Sequence, residues 1–182
     1  MTKLQYPNIL VIGANQRKTG KTTLAEQVIQ HFRQDQIIAI KIAAYTDITD
    51  FQKHYPGQED ILIHREQESN TTADSKRYLN AGAAQSFFLA GIRTRLLEYL
   101  PQFLNNYKNT PLIVESNWFA IHHNPGYILL LKDKTAQESK SSFLKLKDKA
   151  DAIIQPGTIN ELTLTYWRFE DGKWIIPGQK NV

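Results

Sequence analysis

Residues 8–33, NILVIGANQRKTGKTTLAEQVIQHFR, constrain the fold more than any other stretch of the chain. Asn8 to Ile12 is a short apolar run rich in β-branched residues that stops at Gly13, the pattern of a buried strand in a parallel sheet. From Thr22 the period changes. Leu24, Val28 and Phe32 recur at every fourth residue with Glu26, Gln27, Gln30 and Arg33 between them, which predicts an amphipathic helix. Ile37 to Ile42 is again a buried strand, so the chain opens as strand, loop, helix, strand.

The loop of that unit ends in Gly20-Lys21-Thr22, at the start of the helix. A phosphate-binding loop reads Gly, four residues, then Gly-Lys-Thr/Ser. Its backbone N–H groups and the positive helix end converge on the anion, the lysine reaches the β/γ-phosphates and the hydroxyl ligands Mg²⁺. Here the opening position holds Asn15, and the nearest upstream glycine, Gly13, is separated from Gly20 by six residues. Asn visits positive φ more readily than most residues, so Asn15 is expected to stand in for the glycine. The expected phosphate site is Asn15, Gln16, Arg17, Lys18, Thr19, Gly20, Lys21, Thr22 and Thr23. Lys18 or Arg17 would serve as a built-in counterpart of an arginine finger.

Further along, Ile61 to His64 reads as a short strand within an otherwise weakly patterned region from Tyr45 to Asn80. Ser86 to Ala90 reads as a strand and Arg93 to Tyr107 as a helix kinked or split by Pro101. Leu112 to Glu115, Ile128 to Leu131 and Ala152 to Ile154 are further core strands. A lysine-rich helix is expected over 139–150, with Phe143, Leu144 and Leu146 inward. ELTLTYWRFEDGKWII is two alternating runs around Glu170-Asp171-Gly172, a hairpin signal. The expectation is one α/β domain over residues 1–182, a mostly parallel sheet flanked by helices, of phosphate-loop type. Its core would span 8–155 and a C-terminal hairpin extension 156–182.

Composition supports that frame. With 182 residues, 41% hydrophobic and 22% charged, the chain suits one soluble domain with a sizeable core. It contains no cysteine, which excludes disulfides and thiolate metal sites. No signal peptide or membrane-length apolar run is evident, so a cytoplasmic location is expected. The formal charge of +4 tolerates anionic small ligands and makes nucleic acid an unfavoured partner.

Acids for a metal shell are few. Glu115 ends a buried strand, where the carboxyl ends of parallel strands line a ligand crevice, and is expected to serve magnesium or the attacking water. Asp47, just after the second strand, is the candidate first-switch acid. Asp74 would approach the metal or cap the following helix. Adjacent His122 and His123 on an extended chain point to opposite sides, which favours a plain loop role. The lysines of 132–149 read as a solvated helix face. Trp118-Phe119, Trp167 and Trp174 read either as packing or as a partner surface.

GANQRKTGKTTL, ADSKRYLNAGA and LIVESN, in that order and spacing, resemble the molybdopterin-guanine dinucleotide biosynthesis protein B family over roughly residues 8–155. These are small, dimerising phosphate-loop GTPases. Asp74, Ser75, Arg77, Ala81, Gly82, Ala83 and Glu115 fall on the family's motif positions, and Lys41 on a lysine that ends its second strand. The resemblance implies a Mg²⁺-dependent nucleoside triphosphatase, a homodimer acting as switch or adapter with a cofactor-biosynthesis protein. The chain departs from the family in four places. Lys41-Ile42-Ala43-Ala44-Tyr45 replaces a histidine-rich segment, Leu131-Lys132-Asp133-Lys134 lacks the guanine-reading Asn/Thr-Lys-x-Asp, and the loop is longer; the carboxy-terminal hairpin is a fourth departure, an addition to the family pattern. GTP and ATP both stay open as ligands. Two other functions also stay open: a small-molecule kinase or ATP-dependent ligase with an acceptor pocket between Asp47 and Arg77, and a non-hydrolysing interaction module.

Overall fold

The computed structural model describes residues 4–67 and 74–177. A seven-stranded sheet in the order β3-β4-β2-β5-β1-β6-β7 forms the centre. Its strands are β1 (Gln5–Ala14), β2 (Ile38–Tyr45), β3 (Ile61–Arg65), β4 (Gln85–Ile92), β5 (Leu112–Glu115), β6 (Asn124–Leu131) and β7 (Ala152–Ile154). All neighbours pair in parallel except the edge strand β3, which runs antiparallel to β4.

The continuous apolar runs are explained by burial on both faces. Along β1, Leu10, Ile12 and Ala14 face one side, where they meet α1 (Lys21–His31) and α3 (Asp74–Ala81). Ile9 and Val11 face the other, against α4 (Arg93–Asn105) and α5 (Asn117–His122). The two cores sandwich the sheet, so the architecture is three-layered α/β. Among the described residues no helix is long and apolar enough to cross a membrane.

Several elements differ from the sequence reading. Pro101 lies inside a single helix. Leu96, Leu100, Phe103 and Leu104 bury its apolar face, and that packing offsets the hydrogen bond the proline cannot donate. The lysine-rich helix shrinks to α6 (Ser141–Leu144), followed by a run of turns. Phe143 and Leu146 are buried but Leu144 is 51% exposed, so only two residues anchor this segment and a long amphipathic face never forms. α2 (Ile48–His54) and α5 occupy stretches too short to display a helical period.

The C-terminal hairpin is also shorter than expected. Glu161–Leu164 is a helical turn, α7. The hairpin comprises β8 (Arg168–Glu170) and β9 (Lys173–Ile175). Its turn residues Asp171 and Gly172 have φ of 51° and 70°, the left-handed pair of a two-residue hairpin turn. Trp174 is buried edge-to-face on Phe32, and its indole N–H donates to the Leu112 carbonyl at 3.3 Å. Trp167 is buried in the same cluster, so both tryptophans pack rather than present a surface.

Candidate functional site

Parallel register brings the site together at the carboxyl edge of the sheet. Ile12 of β1 and Lys41 of β2 both stand level with Glu115 at the end of β5. β1 hands directly into the loop and α1, so Lys21 and Thr22 arrive above Glu115. The Glu115 carboxylate is buried. Oε2 accepts a 3.0 Å hydrogen bond from Thr22 Oγ1 and another from the Tyr78 hydroxyl, while Lys21 Nζ and Lys41 Nζ each lie 3.8 Å from Oε1. A buried carboxylate needs this full set of donors, because each lost partner would leave charge unsatisfied in a low dielectric.

The loop between β1 and α1 runs from Asn15 to Gly20. β1 continues through Ala14, and the Asn15 N–H still donates to the Leu131 carbonyl of β6 at 3.0 Å. Asn15 therefore stays bonded to β6 just past the end of β1 and does not take positive φ, contrary to the expectation that it replaces a left-handed glycine. Its buried amide instead bridges Asp133: Nδ2 donates to the Asp133 carbonyl at 2.9 Å and Oδ1 accepts the Asp133 N–H at 3.1 Å. Gln16 also turns that way, donating to Asp133 Oδ2 at 3.1 Å. Asn15 and Gln16 thus fasten the loop and do not line the cavity described below. The Thr135 hydroxyl and amide, with Gln16 adding, hold the Asp133 carboxyl below the usual carboxylate range.

Positive φ falls instead on Lys18, at 57°, and on Gly20, at 88°. Gly20 is the N-cap of α1, and no side chain caps that end. The first amides of a helix have no partner within it, so they face outward with the positive end of the helix dipole. Thr19 is buried and its hydroxyl donates to the Gln16 carbonyl at 2.9 Å, tightening the turn.

Gly13 has a different task. A Cβ there would lie 2.4 Å from Asn117 Oδ1 and 2.6 Å from Leu130 Cδ2. The missing side chain lets Asn117 clamp Ala14, accepting its N–H and donating to its carbonyl, each at 2.9 Å. Asn117 also donates to Ser142 Oγ at 3.1 Å, so the β5–α5 corner and the segment after β6 meet at the loop entrance.

Around these groups lies a cavity of about 710 Å³. Arg17, Lys18, Lys21, Lys41, Arg77 and Lys140 line it, with Thr19, Gly20, Thr22 and Thr23 between them. Glu115 is the one carboxylate among its described lining residues. Arg77 is held by a two-pronged ion pair to Glu26, with Nε 2.8 Å from Oε1 and Nη2 2.5 Å from Oε2, which ties α3 to α1. Lys140 sits below the ordinary lysine range. Desolvation of its ammonium at the cavity wall is the largest cause, followed by the charges of Lys21 and Arg17, with Glu115 opposing.

One expected acid stands elsewhere. Asp47 does not line the cavity: it is exposed and caps α2, accepting the Asp50 N–H at 2.9 Å, so its position is that of a helix-start residue. Asp74 opens α3, and its side chain lies outside the described residues. His122 ends α5 beside Trp118, and His123 is buried against Phe119 and Tyr6. Lys140, Tyr78 and Asn117 were missed in the sequence. Lys140 was hidden in a run that reads as solvated. Asn117 had one signal, its place two residues beyond the strand-ending Glu115. Tyr78 had none. No protein-family model, curated protein or solved structure matches this chain.

Proposed function

We propose that this cavity binds the polyphosphate of a Mg²⁺-nucleoside triphosphate, in a domain of phosphate-loop type. One observation carries the reading: Lys21 and Thr22 follow a left-handed Gly20 at the open end of α1, and the Thr22 hydroxyl is already hydrogen-bonded to the strand-end acid Glu115. Amides 20–22 would cradle the β-phosphate, Lys21 would bridge β- and γ-oxygens, and Arg17, Lys18 and Lys140 would offset the remaining charge. The donor set fits magnesium, which favours oxygen ligands and takes one or two protein groups plus phosphates and water. Thr22 and Glu115 would hold it, and it would neutralise charge developing on the transferred phosphoryl group.

The family resemblance noted in the sequence supports, as the further part of this proposal, hydrolysis of the triphosphate driving a switch or adapter that works as a homodimer in cofactor assembly. The space beyond Lys21, towards Trp118 and Ser142, favours one alternative, phosphoryl transfer to a small acceptor. Turnover that appears only with an added acceptor would select it.

Thermal shift and calorimetry with Mg²⁺ and ATP, GTP, their diphosphates and pyrophosphate test the reading. At a hundredfold excess over Kd, linkage stabilises by about 2.7 kcal/mol, a rise in Tm of about 5–10 °C for a chain of this size. Lys21→Ala should remove the response. A folded Lys21→Ala protein with undiminished affinity would refute the assignment.

A further inference from the structure

A second, smaller cavity of about 250 Å³ opens beside the first and shares Gly20 and Thr23 with it. It lies on the other side of the α1 start, between that helix and the exits of β6 and β7. Leu24, Leu131, Ile154, Pro156 and Ile159 form apolar walls, and exposed Gln27 stands at its edge. We infer that this slot holds the base of the nucleotide, and that it accepts adenine at least as well as guanine. The inference rests on the polyphosphate reading, since the shared Gly20 and Thr23 are what join the slot to the phosphates.

The chemistry of the walls carries the choice of base. The apolar side chains lining the slot suit contact with the π-faces of a purine, which any purine offers. Guanine adds a paired donor edge, N1–H with the 2-amino group, which a carboxylate matches. Among the described residues no carboxylate lines the slot. The acid just after β6, Asp133, is committed elsewhere: Thr135 donates to Oδ1 from its amide at 2.8 Å and its hydroxyl at 2.7 Å, and Gln16 donates to Oδ2. A guanine in this slot would therefore leave donors without a charged acceptor, a mismatch that weakens rather than strengthens binding. Adenine's 6-amino group and N1 need one acceptor and one donor, which a single side-chain amide such as that of Gln27 supplies.

Calorimetry with pyrophosphate, ADP and GDP, each with Mg²⁺, tests this on wild type and on Gln27→Trp, whose indole at an exposed helical position would fill the slot. In wild type, ADP is expected to bind about tenfold or more tighter than pyrophosphate, and no more weakly than GDP. In Gln27→Trp the advantage of ADP over pyrophosphate should vanish while pyrophosphate affinity stays. GDP binding tighter than ADP, ADP no tighter than pyrophosphate, or an ADP advantage intact in the variant would each overturn the inference. Failure of pyrophosphate itself to bind wild type would sink the underlying polyphosphate reading instead. The two failures are thus distinguishable.

Discussion

Replacing Lys140 by methionine separates a built anion site from a chance gathering of lysines. Its ammonium is desolvated at the cavity wall and faces Lys21 and Arg17, so carrying the charge costs the ligand-free fold. Its pKa in the folded chain is lowered from 10.5, so between that lowered value and 10.5 the unfolded chain binds more protons. Lys140 should therefore contribute a rise in stability with pH through that window, opposing the fall from tyrosines whose pKa values burial raises from 10.0, and the stability of wild type relative to Lys140→Met should increase across it. Below the window the variant should melt no lower than wild type, because it sheds a repelled charge and keeps the backbone bond from the Lys140 N–H to the Asn15 carbonyl, 2.8 Å. Binding should move the opposite way. A charge-assisted hydrogen bond contributes about 1.5–3 kcal/mol. The side chain as a whole is exposed, so the low end applies, about 1.5 kcal/mol or roughly tenfold in Kd for Mg-ADP. Differential scanning calorimetry across pH and titration calorimetry read the two effects. A variant that melts lower at neutral pH and binds unchanged would refute this account of Lys140.

Three further substitutions probe the scaffold. Gly13→Ala places a methyl 2.4 Å from Asn117 Oδ1 and should cost about 2 kcal/mol, a Tm lower by about 6 °C; an unchanged Tm would show that the clamp yields freely. Tyr78→Phe removes one donor from buried Glu115 and should cost about 1–2 kcal/mol in chemical denaturation, with a shifted Mg²⁺ requirement for nucleotide binding as the second readout. Trp174→Ala should cost about 3–5 kcal/mol, because the indole is buried on Phe32 and hydrogen-bonded to Leu112; a loss under about 1 kcal/mol would make the hairpin a mere appendage.

What the sequence disclosed follows from how local each signal is. The strand, loop and helix of residues 8–33 are fixed by short-range period and by Gly20, and the structure reproduces them. Glu115 was legible because a charged residue closing a short apolar strand marks the point where the chain leaves the core for the edge of the sheet. Tyr78, Asn117 and Lys140 were not, since they reach Glu115, Ala14 and Asn15 at sequence separations of 37, 103 and 125 respectively. Asp47 caps α2 away from the cavity, a placement the sequence does not reveal because a helix cap and a switch acid share one residue type and one place after a strand. The α6 region misled because lysine-rich periodicity does not report how few residues are buried.

The displaced glycine has a physical resolution that joins these cases. By the usual spacing a loop opening at Asn15 needs left-handed backbone there, but β6 extends far enough to keep Asn15 paired through Leu131. The turn is therefore postponed to Lys18 and Gly20. Postponing it is tolerable only if the intervening residues are held, and they are: Asn15 and Gln16 tether to Asp133, and the Lys140 N–H closes on the Asn15 carbonyl. Those same bonds draw residues 133–140 over the loop and set Lys140 at the cavity wall. Asn117 repeats the device one strand away, accepted only because Gly13 offers no Cβ. The glycine at 13 and the asparagine at 15 are thus two halves of one arrangement, which fixes the end of β1 so rigidly that the few residues from Arg17 to Gly20 must turn directly into the start of α1.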